Sequence, residues 1–387
     1  MSETAKIVAP ESEESESSQR AERGADAGFL WDFWYPAARS SAIEGRRLAT
    51  AMLLEVPLVL GRTDAGKAFA MRDACPHRGI PLSYGRFDGK NLECSYHGWK
   101  FDGCSGQCVE IPSLTSQDKL KVERVFAGHY PCEEQDGYVW VYMNESGRRM
   151  ERSSEHRPPQ KAALTEETAA APRLSTFSPK YKSTHLECDL PSHIDHGIIG
   201  LMDPAHGPFV HQSWFWRSKT SIHQKAKQFE PIPYGFRMSP HSPSTNSAPY
   251  QLLKRMTGAP VTTTIDFVLP NIRTEEIRSG KLWFSSLTTV TPIRRDLCRI
   301  DFLAAWNVPL PISIFRVFAK TFLRQDQETM IQQAEGLKHN PRLMLIDDAD
   351  RPAKWYFALK ANLLESRRSG RAMAHPMDGP VTLHWRS

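Results

Sequence analysis

Short runs in which apolar positions alternate with polar ones fill the first half of the chain. LATAMLLEV, PLVLGR, KAFAMRD, KNLECSY and GYVWVYM read as strands, and the Gly, Asp and Asn residues between them are those that turns require. Residues 29–145 therefore predict a compact all-β domain. The next stretch, 146–173, is charged, rich in Pro and Ala and without an apolar period, as a linker or surface excursion would be. Longer strand-like runs follow from Leu174: VTTTIDFVLPNIRTEEIR, KLWFSSLTTVTPI and LCRIDFLAAWNV suit neighbouring strands of an antiparallel sheet.

After those strands the period changes. In ISIFRVFAKTFLRQDQETMIQQAEGL, Phe315, Phe318, Phe322 and Met330 recur at helical spacing, which predicts one long helix. A sheet wrapped on a long helix makes the fold class α+β, with the second domain spanning 174–365 and a C-terminal tail over 366–387. DDADRPAKWYFALKANLL suits a closing helix at a subunit contact. Residues 1–28 are rich in Ser and Glu and poor in large apolar side chains, the composition of a disordered tail.

Composition narrows the function classes. A chain of 387 residues has room for about two domains, and 40% apolar with 24% charged residues is the balance of a soluble globular protein. No apolar run reaches the roughly 18 residues of a membrane span. The net charge of +5 comes without a basic stripe, so nucleic acid is not an expected partner. ESRRSGRAMAHP is locally basic, which solvation or an anionic partner explains equally well. No secretory or transit pattern opens the chain, and the cytoplasm is the expected compartment. Seven cysteines, an odd number, argue against a disulfide framework and turn attention to metal binding.

Cys75 and His77 form C-x-H, and Cys94 and His97 form C-x2-H, with 16 residues between His77 and Cys94. Four soft or borderline donors in two close pairs suit either a structural zinc ion or an iron–sulfur cluster. Cys104 and Cys108, just downstream in GCSGQC, receive no role. GRTDAGKA, Gly61 to Ala68, imitates a phosphate-binding loop but ends in Ala where that loop needs a hydroxyl, so a hairpin turn is expected.

The flanking residues go further. CPHRG and CSYHGWKFD, with the His97-Gly98-Trp99 continuation, resemble the Rieske oxygenase pattern. That resemblance implies a Rieske [2Fe-2S] cluster held by Cys75, His77, Cys94 and His97, with both imidazoles on one iron. Tyr96, and the absence of an additional loop-tying Cys, favour the oxygenase branch over the respiratory one.

A second constellation then gains weight. GLMDPAHGPFVHQSWFW contains Asp203, His206 and His211 as D-x2-H-x4-H, a pattern that in isolation describes many ordinary histidine pairs. Behind a Rieske segment it looks like the iron segment of the branch that includes vanillate O-demethylase and pheophorbide a oxygenase. The resemblance makes His206 and His211 ligands of a mononuclear Fe(II). It draws the third ligand from a late helix, where Asp326 lies on the apolar stripe four residues from Phe322 and from Met330. Glu328 is the rival ligand, and an ion pair with Arg324 is the alternative for Asp326.

In the family, an acid at the position of Asp203 links an iron ligand of one subunit to a cluster histidine of its neighbour; a helix N-cap is its other reading. The family's Glu-Asn is replaced here by Ile199 and Gly200, and His193 and His196 read as surface histidines. The same resemblance implies a helix-grip (START-like) catalytic domain, a homotrimer, O2, and a separate ferredoxin or flavin reductase as electron donor. No G-x-G-x-x-G motif is present to bind a dinucleotide. The substrate implied is hydrophobic, aromatic or polycyclic, hydroxylated or O-demethylated near walls such as Phe209, Trp214 and Trp216. The competing class is a Rieske electron carrier or a zinc-stabilised binding protein.

Overall fold

A computed structural model describes residues 28–144, 170–211, 222–242 and 248–387. Most of the expected linker, together with Trp214 and Trp216, lies outside them.

The N-terminal domain is built from three small antiparallel sheets. One orders β1 (Phe33–Arg39), β11 (Tyr138–Met143) and β10 (Cys132–Gln135). A second orders β2 (Ala49–Leu53), β3 (Val56–Arg62), β4 (Ala68–Arg72) and β9 (His129–Tyr130). The third orders β5 (Arg86–Phe87), β6 (Asn91–Glu93), β7 (Lys100–Asp102) and β8 (Cys108–Glu110). Leu58, Leu60, Val139 and Val141, inward members of alternating runs, are fully buried between the first two sheets. GRTDAGKA is the β3–β4 turn, closed by Thr63 N–H donating to the Lys67 carbonyl at 2.9 Å, and strand rather than helix follows it.

The second domain has one eight-stranded antiparallel sheet in the order β12-β18-β17-β16-β15-β14-β13-β19. Its strands are β12 (Lys182–Leu190), β13 (Gln224–Ile232), β14 (Gly235–His241), β15 (Thr262–Val268), β16 (Ile272–Ser279), β17 (Leu282–Arg294), β18 (Leu297–Trp306) and β19 (Val381–Arg386). The last strand corrects the expectation of a C-terminal tail over 366–387. Gln224 pairs with Arg386, and the VTLHWR alternation buries Leu383 and Trp385.

Among the described residues this domain also has helices α1 (Ile194–Met202), α2 (Gly207–Val210), α3 (Ala248–Thr257), α4 (Ile312–Leu337) and α5 (Arg351–Ser369). The closing helix α5, expected at a subunit contact, uses its apolar face within its own chain. Trp355, Tyr356, Leu359 and Leu363 are buried in the core with Ile194, Ile198, Phe236 and Phe267.

Helix α4 departs from the core-facing stripe that its periodicity suggests. It runs along the edge strand β12, held by Arg316 Nη1 donating to Thr184 Oγ1 at 2.8 Å and Gln327 Nε2 to the Asp189 carbonyl at 2.7 Å. Of its residues only Met330 is buried, and Phe318 is 39% exposed. The stripe turns toward a cavity between α4 and the sheet.

The other sheet face meets the N-terminal domain. Trp34, Tyr138, Trp140 and Tyr142 pack on Trp283, Leu287, Leu303 and Ala305. Leu54 and Glu55 N–H groups donate to the Pro292 and Ile293 carbonyls, each at 2.9 Å. At this junction Asp301 is fully buried, and burial pushes its carboxyl up while Arg299 and Thr291 act against that. Arg299 Nε donates to Asp301 Oδ1 at 2.9 Å and Nη2 to the Pro36 carbonyl at 3.0 Å, and Thr291 Oγ1 donates to Oδ2 at 2.6 Å. Arg299→Met therefore strands a buried carboxylate and should destabilise the chain by about 3–5 kcal/mol, read as a lower urea midpoint by tryptophan fluorescence.

Candidate metal centres

Cys75-x3-Gly79 and Cys94-x3-Gly98 fold into two matching loops. In each, the Cys N–H donates five residues on, to the Ile80 or Trp99 carbonyl at 2.8 Å. The Gly N–H returns to the Cys carbonyl, at 2.8 Å for Gly79 and 3.1 Å for Gly98. Both glycines have positive φ, 74° and 69°, the left-handed region that a side chain disfavours. The loops bury both thiols and hold His77 and His97 with ring centroids 4.6 Å apart. Trp99 stacks on His77 at 4.6 Å and 3°.

Burial pushes the Cys75 thiol up to about 11 in the absence of a cation, while the backbone N–H groups of His77 and Arg78 favour its thiolate. Ligand atoms around one tetrahedral zinc, with bonds of 2.0–2.3 Å, lie about 3.3–3.8 Å from each other. Among the described residues no three of Cys75, His77, Cys94 and His97 gather within 4.8 Å, whereas another trio does. The four donors fit a two-iron group that spreads its ligands better than a single ion.

That other trio is His206, His211 and Asp326. Helix α1 stops at Asp203 because Pro204 follows and drives it to extended backbone, φ −62° and ψ 115°. Asp203 Oδ1 accepts from Ala205 N–H at 2.7 Å, so this acid forms a turn after a helix rather than the N-cap of one. The turn places His206 ahead of the four-residue α2, and His211 follows it; α4 brings Asp326 from across the cavity.

The protonation pattern is set by neighbouring carbonyl oxygens. His206 Nδ1–H donates to the Asp203 carbonyl at 2.8 Å and His211 Nδ1–H to Gln325 Oε1 at 3.1 Å. In a neutral imidazole with that tautomer, Nε2 is the atom that carries the lone pair. The two Nε2 atoms face each other at 3.1 Å, and His211 Nε2 lies 3.2 Å from Asp326 Oδ1. In that tautomer three acceptors face one another, an arrangement that a shared cation stabilises. Two ligands each about 2.1 Å from one ion and about 90° apart would be separated by about 3.0 Å, so the spacing fits a facial triad with open positions. Burial also lowers the His206 imidazole, which keeps it in the neutral form that coordinates, and raises the Asp203 carboxyl.

Glu328 is turned away from the trio. It pairs with Arg324 at 3.4 Å and its side chain is 57% exposed. The Asp326 side chain is 32% exposed into the cavity rather than enclosed in core. Gln325 was invisible to sequence reasoning: only its adjacency to Asp326 hinted at a role, and its reach to His211 depends on the meeting of α2 and α4. Gly200, where the resemblance calls for a polar side chain, instead faces Met330, whose Cε would lie 3.6 Å from an added Cβ. His193 caps α1 by accepting from Asp195 N–H at 3.2 Å, and His196 is half-buried, so neither is a plain surface histidine.

His206, His211 and Asp326 all line the wall of a cavity of about 1480 Å³ between α4 and the sheet, larger than the roughly 300–1,000 Å³ of common ligand pockets. Phe322 packs on His211 at 4.6 Å, and Phe315 on Trp306 at 4.5 Å. Phe209 is 51% exposed and does not line it.

Residues 33–124 match the Rieske [2Fe-2S] domain family. The chain is 32% identical over 206 residues to chlorophyllide a oxygenase of Chlamydomonas reinhardtii, covering 52% of this chain and 27% of that protein. It is 39% identical over 132 residues to the oxygenase subunit of 3-chlorobenzoate-3,4-dioxygenase from Comamonas testosteroni, covering 34% and 30% respectively. The matches thus span less than a third of the length of these two curated relatives. In fold it is similar to an NdmA mutant of Pseudomonas putida CBB5 with theobromine, at TM-score 0.68 and 18% identity over 90% of this chain and 96% of the other.

Gln325→Ala should leave His211 Nδ1–H without its acceptor and weaken metal binding about 10–100-fold, measured by competition with a chelating indicator. His211 should remain in place, because its ring still packs on Phe322.

Proposed function

From a chain whose residues 33–124 are a Rieske [2Fe-2S] domain and whose fold is that of Rieske non-heme iron oxygenase α components, we propose a terminal oxygenase of a multicomponent system. It uses O2 and two externally supplied electrons to hydroxylate or O-demethylate a hydrophobic, aromatic or polycyclic substrate. The observation that carries this reading is the convergence of His206 Nε2, His211 Nε2 and the Asp326 carboxylate in the wall of a large apolar cavity.

Cys75, His77, Cys94 and His97 hold the cluster in this reading, and His206, His211 and Asp326 hold the iron. When bound, these groups supply one-electron transfer and a place where O2 is activated. In hydroxylation, one substrate C–H becomes C–OH and the second oxygen atom leaves as water, consuming two electrons and two protons. The chain's own part is to orient both imidazoles, with the Asp203 carbonyl and Gln325 Oε1 accepting from their Nδ1–H groups so that Nε2 is the coordinating atom, while burial favours the neutral form of His206. The apolar walls seat the substrate and limit water around the triad.

Electrons come from a separate ferredoxin or flavin reductase, since the chain has no dinucleotide fingerprint. His77 is exposed on its loop, as a group that receives electrons from a partner must be. Asp203 links His206 to His77 or His97 of a neighbouring subunit in a homotrimer. Among the described helices none is long and apolar enough to cross a membrane.

His206→Ala should retain the electron paramagnetic resonance signal of the reduced Rieske cluster while losing the mononuclear iron and substrate-dependent oxygen uptake. Oxygen turnover that survives this change would assign the chemistry elsewhere. An electron carrier would consume no oxygen with any substrate, and zinc without acid-labile sulfide in the isolated protein would remove both iron sites.

A further inference from the structure

The cavity floor is not uniformly apolar. On β16, Arg273 and Glu275 point into it from alternate positions, with Arg273 Nη1 donating to Glu275 Oε2 at 3.1 Å. Their side chains are only 18% and 20% exposed. The neighbouring strand β17 aligns small polar side chains beside them, Thr288 opposite Arg273 and Ser286 opposite Glu275. Thr263, opposite Ile277 on β15, is buried, and its Oγ1 has no hydrogen-bond partner among the described residues. Around this patch the walls are Ile265, Ile277, Phe284, Phe302 and Phe315.

Polar groups inside an apolar cavity are costly unless they meet a partner. Glu275 bonds Nη1 of the guanidinium, and no other hydrogen bond or ion pair of the Arg273 side chain is present among the described residues. The remaining N–H donors are left to whatever fills the cavity. Glu275 also cancels the charge of Arg273. A ligand carboxylate would therefore bring a second anion next to Glu275 in a poorly hydrated site. A neutral acceptor oxygen takes the free guanidinium edge without that repulsion. The lysines on the cavity wall, Lys225 and Lys227, sit three strands away on β13 and bond Ser387 Oγ and the Ser242 carbonyl, while burial favours the neutral form of His241 on the nearer β14.

Resting on the reading of this cavity as the substrate site, we infer that Arg273 and Glu275 are its specificity-determining pair. They select a large apolar molecule bearing an uncharged carbonyl or hydroxyl oxygen and disfavour one bearing a carboxylate. Arg273 donates to that oxygen, Glu275 holds the guanidinium and rejects anions, and the small side chains of Ser286 and Thr288 leave room beside the pair.

Equilibrium dialysis of the iron-loaded protein, without reductase or turnover, tests this with pyrene, 1-acetylpyrene and 1-pyrenecarboxylate. The expected result is that 1-acetylpyrene binds at least about 10-fold more tightly than either of the others, the scale on which one lost hydrogen bond in a dry site is felt. Arg273→Met should erase the advantage over pyrene. Glu275→Gln should raise affinity for the carboxylate by about 10-fold or more, a gain that misfolding cannot imitate. Equal binding of all three probes, no binding of any, or an unchanged carboxylate affinity in Glu275→Gln overturns the inference. Because no oxygen chemistry is read, these outcomes are separate from failure of the oxygenase reading, which is decided by oxygen uptake.

Discussion

The eight-stranded sheet is covered on both faces, and the rest of the molecule follows from that constraint. One face is dry: Trp283, Leu287, Leu303 and Ala305 meet the aromatic side chains of the N-terminal domain. The other holds a helix core at one end and a cavity under α4 at the other. Because side chains alternate along a strand, Phe302 faces the cavity while Leu303 faces the neighbouring domain. A register slip of one residue would exchange the two surfaces. The buried Arg299–Asp301–Thr291 network at the domain junction anchors that register.

Within this frame the triad depends on two local devices. A proline ends α1 and lets Asp203 turn the chain so that His206 and His211 flank a single short helical turn. Helix α4 then supplies adjacent residues with different tasks: Asp326 faces the imidazoles, while Gln325 reaches around to fix the tautomer of His211. Neither α2 nor α4 contains the site without the other. The unusual exposure of α4 follows, since a helix that lines a cavity cannot also be sealed against core.

Much of this was legible along the chain. The C-x-H and C-x2-H spacings of the cysteine loops, the alternating strand runs and the bounds of α4 all arise from short-range rules, turn conformation and side-chain period, that act within a few residues. Asp326 could be picked from its place in a helical apolar stripe, but not what that stripe faces, because periodicity reports which side is apolar and not whether that side meets core or a cavity. The same limit hid β19: a short VTLHWR alternation at the end of a chain carries no sign of which strand edge will accept it.

The candidate donors, their grouping along the chain and the all-β then α+β order were thus legible in the sequence itself, since residue type and local spacing specify chemistry and secondary structure, while the choice between Asp326 and Glu328 stayed open. Tertiary structure decided which atoms meet. Only packing across more than a hundred residues turns two Nε2 lone pairs and a carboxylate toward one point, separates Glu328 from Asp326, and sets Arg273 and Glu275 on the floor of the same cavity. Those choices depend on strand register and helix docking, which sum many weak contacts over the whole chain and leave no local signature.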